Sequence, residues 1–278
     1  MTILIFTALL LAGAFVAGLL GSLTGLGGGV VLIPLLTLVF KVDIHYAIGT
    51  SLISVIATSS GAAAAYVKEG ITNMRLGMFL ELATTIGAVT GAFVASYIST
   101  SIIAIIFGAV LIFSAIISLM NKEDPIETNH KSVLAKKLKL NSSFPAAHGE
   151  QFYTVKNVGG GFFMMNIAGI ISGLLGIGSG ALKVIAMDNI MRIPFKVSTT
   201  TSNFMIGVTA AASAGIYLKR GYIDPGLSMP VVLGVLLGAF FGSKILFSAK
   251  SSALRILFAI VIFVLAIEMI YNGITHQI

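Results

Sequence analysis

The chain contains the same passage twice, at a constant offset of 151 residues and without a gap, in residues 18–91 and 169–242. The repeated positions include Gly25-x-Gly27-x-Gly29, which returns as Gly176-x-Gly178-x-Gly180, and Thr50-Ser51, which returns as Thr201-Ser202. A duplication of this length predicts two halves that share one order of structural elements. Any fold proposed for the chain must therefore pair the two halves.

The composition predicts that both halves lie in a membrane. Of the 278 residues, 57% are hydrophobic and only 10% are charged, and the mean hydropathy is +1.03. A soluble domain carries about 25% charged residues, so this chain has too few polar groups to cover a surface in water. The apolar runs are continuous rather than alternating, which favours helices of about 20 residues across a hydrocarbon layer of about 30 Å.

The apolar runs predict an all-α, polytopic membrane protein of about ten helical segments, two of them short and placed after a glycine-rich break. We expect the first repeat in residues 1–120, a cytoplasmic loop in 121–157 and the second repeat in 158–278. The expected helices are 2–23, 30–40, 46–67, 76–98 and 102–120 in the first repeat, and 158–175, 181–191, 197–218, 227–247 and 254–271 in the second.

The distribution of basic residues predicts that the two repeats are inverted in the membrane. If each repeat crosses five times and 121–157 is inside, thirteen of the seventeen lysines and arginines lie inside and three lie outside. Counting each broken helix as one crossing makes this bias weaker. Because inner loops are enriched in Lys and Arg, an odd number of crossings per repeat is favoured. We expect the membrane to be the cell inner membrane.

The polar segment 121–157 has two interpretations. Lys131–Leu140 has the pattern of a short amphipathic helix that lies on anionic lipid. A solvated linker between the repeats explains the same composition.

Several classes of function are excluded or disfavoured. The chain has no cysteine, so thiol catalysis and thiolate metal sites are excluded. The four histidines lie in loops or at the chain end, and the net charge of +7 is explained by the inner membrane surface. We therefore predict no cofactor, no metal and no nucleic-acid partner. The first residues lack the basic region of a secretory signal, and we expect them to remain as a helix.

The two glycine breaks predict a binding seat for a small anion. Each break precedes a new helix, whose first N–H groups lack partners and whose dipole is positive. Irregular backbone at membrane depth is tolerated where protein buries it or where it lines a cavity. Close packing of small residues between helices is the alternative. The candidate residues are Gly27, Gly28, Gly29, Gly178, Ser179 and Gly180.

A group of polar side chains recurs early in the helix that follows each short segment. Hydroxyl and amide groups hydrogen-bond an oxyanion without adding a fixed charge, so that a weakly bound anion can leave. Helix capping and hydrogen bonds between helices are the alternatives. The candidates are Thr50, Ser51, Thr201, Ser202 and Asn203, and Thr58 and Thr209 recur two turns further on.

Two charged residues break the symmetry of the repeats inside apolar segments. Lys183 lies in the first turn after the second break, and Leu32 occupies the matching position in the first repeat. A cation is unfavourable at a helix N-terminus and inside a membrane, and a bound anion would offset both costs. Glu81 lies within a span and matches Val232. We consider it the candidate for proton coupling, with a structural hydrogen bond or an ion pair as the alternative. For Lys183 the alternatives are an ion pair with a carboxylate or snorkelling to the outer interface.

These residues resemble the TauE/SafE family of sulfite-exporter-like transporters. The resemblance covers nearly the whole chain outside 121–157 and rests on Gly25-Leu-Gly-Gly-Gly29 with Pro34, Ala47-Ile-Gly-Thr-Ser51, Gly176-Ile-Gly-Ser-Gly180 and Lys196-Val-Ser-Thr-Thr-Thr-Ser-Asn203. It implies a bacterial, archaeal or plant membrane protein for export or uptake of sulfite, or of sulfoacetate or another small organosulfur anion. The chain departs from the common pattern at Ser179 and at Ile185, which replaces the proline of the first copy.

The sequence thus favours a secondary transporter, most simply an exporter, of a small oxyanion such as sulfite or an organosulfonate, rather than an enzyme. Its expected partners are the anion and the lipid bilayer, and a homo-oligomer is left open. An anion channel would use the same seat. An intramembrane serine hydrolase with Ser179 as nucleophile is a further alternative, for which Lys183 is the nearest base in sequence.

Overall fold

The structure is a computed structural model that describes residues 3–24, 28–68, 70–119, 132–146, 149–246 and 251–275. In the first repeat, the helices are α1 (Ile3–Thr24), α2 (Gly29–Pro34), α3 (Ile44–Lys68), α4 (Met74–Ala95) and α5 (Thr100–Leu119). In the second repeat, they are α7 (Val158–Leu175), α8 (Gly180–Ile185), α9 (Phe195–Lys219), α10 (Pro225–Leu246) and α11 (Ser251–Ile274). One turn of π-helix extends each short helix, at Leu35–Val39 after α2 and at Ala186–Ile190 after α8.

The helix bounds repeat at the offset of the sequence duplication. Adding 151 to the bounds of α2, α3 and α4 gives the bounds of α8, α9 and α10. The two π-helical turns match in the same way. The sequence predicts about ten helical segments, and the described residues of the two repeats form ten, of which α2 and α8 are short.

The two repeats interlock rather than pack as separate bundles. Helix α1 packs on α10 of the other repeat, and α7 packs on α4 in return. Helix α3 packs on α9 and α5 on α11, while α4 contacts α9 as α10 contacts α3. Exchanging the two repeats leaves this pattern of helix pairs unchanged.

Glycines bring the helix backbones together at the two equivalent interfaces. A Cβ added to Gly87 of α4 would collide with the carbonyl oxygen of Asn166 in α7, and one added to Gly169 would collide with that of Thr84. The matched pair repeats this between α10 and α1, where Gly238 faces Phe15. Close backbone approach at small residues is how helices associate in lipid.

Two helices of the described chain are long and apolar enough to cross a bilayer, Met74–Ala95 and Val158–Leu175. Five further apolar stretches are shorter, with 10–17 residues. Large apolar side chains lie exposed on the outer faces of the same helices, among them Met78, Leu82 and Phe163. Such a surface is expected where lipid rather than water surrounds the helices.

The polar segment between the repeats folds, which the sequence did not predict. It forms a short helix α6 (Val133–Lys137) and an antiparallel hairpin of β1 (Ser142–Ala146) and β2 (Gly149–Tyr153). The expectation of an all-α chain therefore holds for the repeats but not for this hairpin. The amphipathic helix that the sequence predicts over ten residues is the five-residue helix α6, in which Ala135 is buried.

Asn73, which precedes α4, attaches this segment to the helices. Its side-chain amide donates to Leu140 O and to Tyr153 Oη, both at 2.8 Å, and its Oδ1 caps α4 by accepting from Leu76 N at 3.0 Å. Its backbone N–H donates to Thr201 Oγ1 at 3.1 Å. Burial raises the pKa of the Tyr153 phenol, which keeps it un-ionised in this contact. The segment is thus a folded cap on the ends of α4 and α9.

Candidate functional site

The second glycine break is a sharp change in backbone direction between α7 and α8. Helix α7 ends at Gly176 in the left-handed conformation, with φ of 66°. Gly178 and Ser179 follow with φ of 71° and 48°. A left-handed conformation costs little at glycine and about 1–2 kcal/mol at serine. Ser179 nevertheless occupies the N-cap position of α8 and is 3% exposed, so the surrounding structure holds it there.

The first break is described only in part, because Gly27 lies outside the described residues. Gly28 is the N-cap of α2, and Gly29 is its first residue; both are buried. A Cβ added to Gly29 would lie 2.5 Å from Ser51 Oγ and 3.3 Å from Gly176 O of the other repeat. The two breaks therefore meet, and Val55 of α3 contacts both Gly29 and Gly178.

The hydroxyl groups nearest the breaks donate to backbone carbonyls. Ser51 donates to Gly176 O at 2.9 Å, and Ser202 donates to Gly180 O at 3.1 Å. The phenol of Tyr217 lies 3.2 Å from Gly173 O, one turn before the second break. A hydroxyl has a single proton to donate. In this conformation Ser51 and Ser202 donate theirs to backbone carbonyl groups of the second break.

The other three polar candidates do not hydrogen-bond to the described residues of either break. Thr50 lies 3.4 Å from the Ser228 hydroxyl of α10, and Thr201 accepts from Asn73 N. Asn203 is half-buried. Their contact with a substrate stays a prediction.

Lys183 and Glu81, the two charges that break the symmetry, share one hydroxyl group. The Lys183 ammonium is fully buried and donates to Thr209 Oγ1 at 2.5 Å. Thr209 in turn lies 2.7 Å from Glu81 Oε1, for which it is a donor. Glu81 is 7% exposed. Because α4 supplies Glu81 whereas α8 and α9 supply the other two groups, this chain of hydrogen bonds joins the repeats.

The chain of hydrogen bonds leaves polar capacity unused within the described residues. Glu81 Oε2 and Ser179 Oγ are buried without a hydrogen-bond partner, as is Ser172 Oγ in α7. The Lys183 ammonium carries three N–H groups, and one acceptor, Thr209, is described for them. Buried polar groups without partners are rare and costly, so these atoms indicate where a polar guest would be stabilised.

Among the described residues, Ser179 is not paired with the base that a serine hydrolase would need. Lys183 Nζ hydrogen-bonds to Thr209, and Ser179 Oγ has no partner in the described part of the chain. His45 lies beside Asp43, at the start of α3, and its ring stacks on Tyr222. A nucleophile needs its base within hydrogen-bond distance, and neither residue provides one here.

Thr209 is a candidate site residue whose contacts the sequence did not predict. The repeat marks it only as the mate of Thr58, whose hydroxyl donates to the backbone of its own helix at Ser54 O. Met205 O, 3.0 Å from Thr209 Oγ1, is the alternative acceptor for the single hydroxyl proton. The link of Thr209 to both charges follows from the packing of α9 against α4 and α8, which the local sequence does not reveal.

Comparison with known proteins identifies relatives along the whole chain. The probable membrane transporter protein YunE of Bacillus subtilis is 28% identical over 277 residues, which cover 97% of this chain and 98% of that protein. YdhB of the same organism, also a probable membrane transporter protein, is 28% identical over 231 residues, 83% of this chain and 86% of its own. The probable membrane transporter protein MJ0441 of Methanocaldococcus jannaschii is 24% identical over 283 residues, 96% of each chain.

No solved structure matches the chain significantly. The family model described as sulfite exporter TauE/SafE matches residues 10–269. This range includes both copies of the duplicated passage, both breaks and the Lys183–Thr209–Glu81 contact. The names of the family and of the relatives indicate a membrane transporter. The chain belongs to the sulfite exporter TauE/SafE family.

Proposed function

We propose that this protein is a secondary transporter that exports a small oxyanion, such as sulfite or an organosulfonate, across the cell inner membrane. The seat lies where the two glycine breaks meet, and access alternates as one repeat rocks against the other. In this proposal the chain is multi-pass, the repeats are inverted, and residues 121–157 are cytoplasmic.

The buried ammonium of Lys183 is the observation that carries the proposal. A charge in a membrane interior is costly, and such residues mark substrate or ion pathways. Lys183 lies in the first turn of α8, three residues beyond Gly180, and retains N–H groups for which no acceptor is described. An oxyanion beside it would accept these hydrogen bonds, and the unpartnered hydroxyl of Ser179 supplies a further donor.

Glu81 gives the site a means of releasing its substrate. When Glu81 is ionised, it and the anion compete for the positive charge of Lys183, because Thr209 hydrogen-bonds to both Lys183 and Glu81. When Glu81 is protonated, the ammonium is left for the anion. We therefore propose that Glu81 couples anion binding to protonation, with Thr209 between the two groups.

The arrangement of the repeats supports alternating access. The contacts of the helices are unchanged when the repeats are exchanged, and the breaks meet beside α3 and α9. Together with the inside bias of Lys and Arg, this favours two inverted halves around a central seat. An inside-negative potential contributes about 2.3 kcal/mol per charge per 100 mV to anion exit, so export needs no further energy source.

Flux in proteoliposomes tests the function. The purified protein is reconstituted and assayed with sulfite, thiosulfate, sulfate and small sulfonates. We expect saturable flux of one or two of these anions, and counterflow when unlabelled substrate is placed inside. Flux without saturation or counterflow would indicate a channel, and absence of flux for every anion would refute the proposed substrate class.

Variants of Lys183 separate binding from folding. Lys183→Ala should abolish flux, whereas Lys196→Ala, which removes an exposed lysine at the start of α9, should not. The double variant Glu81→Gln, Lys183→Ala leaves no buried charge unpaired and should retain the fold while remaining inactive. If the double variant transports the anion at the wild-type rate, Lys183 is not part of the binding seat.

A further inference from the structure

An apolar groove of about 310 Å³ lies between the linker helix α6 and the first turns of α4 and α7. Its walls are Phe79, Leu134, Leu138, Val158, Gly159 and Phe162. We propose that this groove binds an acyl chain of an anionic phospholipid of the surrounding bilayer, with the headgroup held by the basic residues of α6. The site is separate from the glycine breaks, and the proposal requires a bilayer but no particular substrate.

The apolar lining of the groove favours an apolar ligand. Every residue of its walls is apolar, so a bound polar group would lose its hydrogen bonds to water without replacement. A Cβ added to Gly159 would meet no atom within 4 Å, which leaves room beside this residue in the wall of the groove. A segment of a lipid chain satisfies these conditions.

The groove lies at the end of the membrane-crossing segments. Helices α4 and α7, the two that are long and apolar enough to cross a bilayer, both begin here, at Met74 and Val158. Phe79 lies five residues into α4, about 7.5 Å along the helix axis at 1.5 Å per residue. This depth is that of the boundary between headgroups and acyl chains, where amphipathic helices also lie.

The charges around the groove distinguish between its possible ligands. Lys136, Lys137 and Lys139 are exposed on and just after α6, and Arg75 is exposed one turn before Phe79 on α4. The described acidic residue of the linker, Glu150, lies on the hairpin. A second copy of this chain would bring the same basic helix to the groove and be repelled. A phospholipid with a negative headgroup fits both the apolar walls and the basic rim.

The absence of tryptophan from the chain permits a direct test. A single Phe162→Trp reporter is reconstituted in phosphatidylcholine vesicles that contain either brominated phosphatidylglycerol or brominated phosphatidylcholine, because bromine on the acyl chain quenches a nearby indole. We expect stronger quenching by the phosphatidylglycerol at equal mole fraction. One basic residue near an anionic surface contributes about a fivefold preference, so Lys136→Gln with Lys137→Gln should lower the preference several-fold.

A control reporter outside the groove and a variant that fills the groove make the result specific to the groove. A Leu237→Trp reporter on an exposed position of α10 should be quenched equally by the two lipids. Gly159→Leu, which adds a large side chain to the wall of the groove, should abolish the preference at Phe162→Trp and leave Leu237→Trp unchanged. If Phe162→Trp perturbs folding, Phe79→Trp replaces it.

Two results would overturn the proposal. Equal quenching of the groove reporter by the two lipids, with the lysines intact, would show that the basic rim selects no headgroup. Absence of quenching by either lipid would show that something else occupies the groove, and cross-linking between copies at Leu138 would then identify a second chain as the occupant.

Discussion

Glu81 of the first repeat and Lys183 of the second repeat hydrogen-bond to the same hydroxyl group, that of Thr209, at 2.7 and 2.5 Å. Both side chains are buried, and each matches an apolar residue in the other repeat. An approximately symmetric fold thus has two asymmetric charges, and these charges meet. Their meeting point beside the second break connects the stability of the fold to the proposed transport.

Removal of either charge should destabilise the protein strongly. An uncompensated buried charge costs about 3–5 kcal/mol, so Lys183→Met and Glu81→Leu should each lower the free energy of unfolding by that amount. The double variant should lose much less than the sum of the two losses, because no charge remains unpaired. Unfolding in one detergent, followed for all four proteins, measures the coupling.

The exposed Lys196→Met variant is the control for the loss of a lysine, and it should change stability by less than about 0.5 kcal/mol. Additive losses in the cycle would mean that the two charges are independent, which contradicts the shared contact with Thr209.

Glu81→Gln should remove the pH dependence of transport while preserving its substrate range. In the parent, the ionised carboxylate competes with the anion for Lys183, so flux should rise as the pH is lowered and Glu81 takes up a proton. The amide is neutral at every pH and keeps a hydrogen-bond acceptor for Thr209. Initial rates between pH 5 and pH 8, measured without a membrane potential, test this.

Sulfite itself changes its charge in this pH range, so the same series is run with a sulfonate, whose charge is constant. If Glu81→Gln retains the pH profile of the parent with the sulfonate, another group couples protonation to transport.

The duplication made the helices predictable from the sequence. Segments 46–67 and 197–218 were expected as helices, and the structure has Ile44–Lys68 and Phe195–Lys219. Two copies of one pattern identify breaks and spans because each copy supports the other. The same comparison could not locate the partners of Glu81 and Lys183, because a feature present in only one copy has no counterpart.

The folded linker was not predictable for a different reason. A two-stranded hairpin is marginal by itself, and its strand Ser142–Ala146 contains a proline. Phe144 and Tyr153 belong to one buried cluster with Leu76 of α4 and Val197 of α9. The hairpin depends on this tertiary packing, which the sequence of the linker does not encode locally.

A larger side chain at the close helix contacts should destabilise the fold. Gly87→Ala places a methyl group against the backbone of Asn166 and Ile170, and overpacking of this kind costs about 1–3 kcal/mol. Gly215→Ala on α9, where no atom lies within 4 Å of the added Cβ, is the matched control. It should stabilise the protein by up to about 1 kcal/mol. The two midpoints of thermal unfolding should therefore move in opposite directions, and a shift in the same direction would contradict the packing described here.

Loss of the Asn73 side chain should release the linker. Asn73→Ala removes the cap of α4 and the hydrogen bonds to Leu140 and Tyr153. A lost cap costs about 1 kcal/mol, and a hydrogen bond contributes about as much, so we expect a loss of about 2–3 kcal/mol. Limited proteolysis in the hairpin should accelerate. Tyr153→Phe removes one of these contacts and should have a smaller effect, and equal effects of the two variants would contradict the central role of Asn73.

Acid should weaken the contact at the start of α3 through Asp43. A hydrogen bond from the His45 side chain, reinforced by its backbone N–H at 2.9 Å, holds the pKa of the Asp43 carboxyl below its ordinary value of 3.8. A carboxyl with a lowered pKa in the folded state adds stability above its ordinary pKa, and that stability is lost as the pH falls through the lowered value. Asp43→Asn should therefore be less stable than the parent at neutral pH, and the difference should shrink as the pH falls below the ordinary pKa of the carboxyl and through the lowered one. Unfolding of both proteins between pH 7 and pH 2.5 measures this, and a difference that persists at the lowest pH would assign the effect of Asp43 to shape rather than charge.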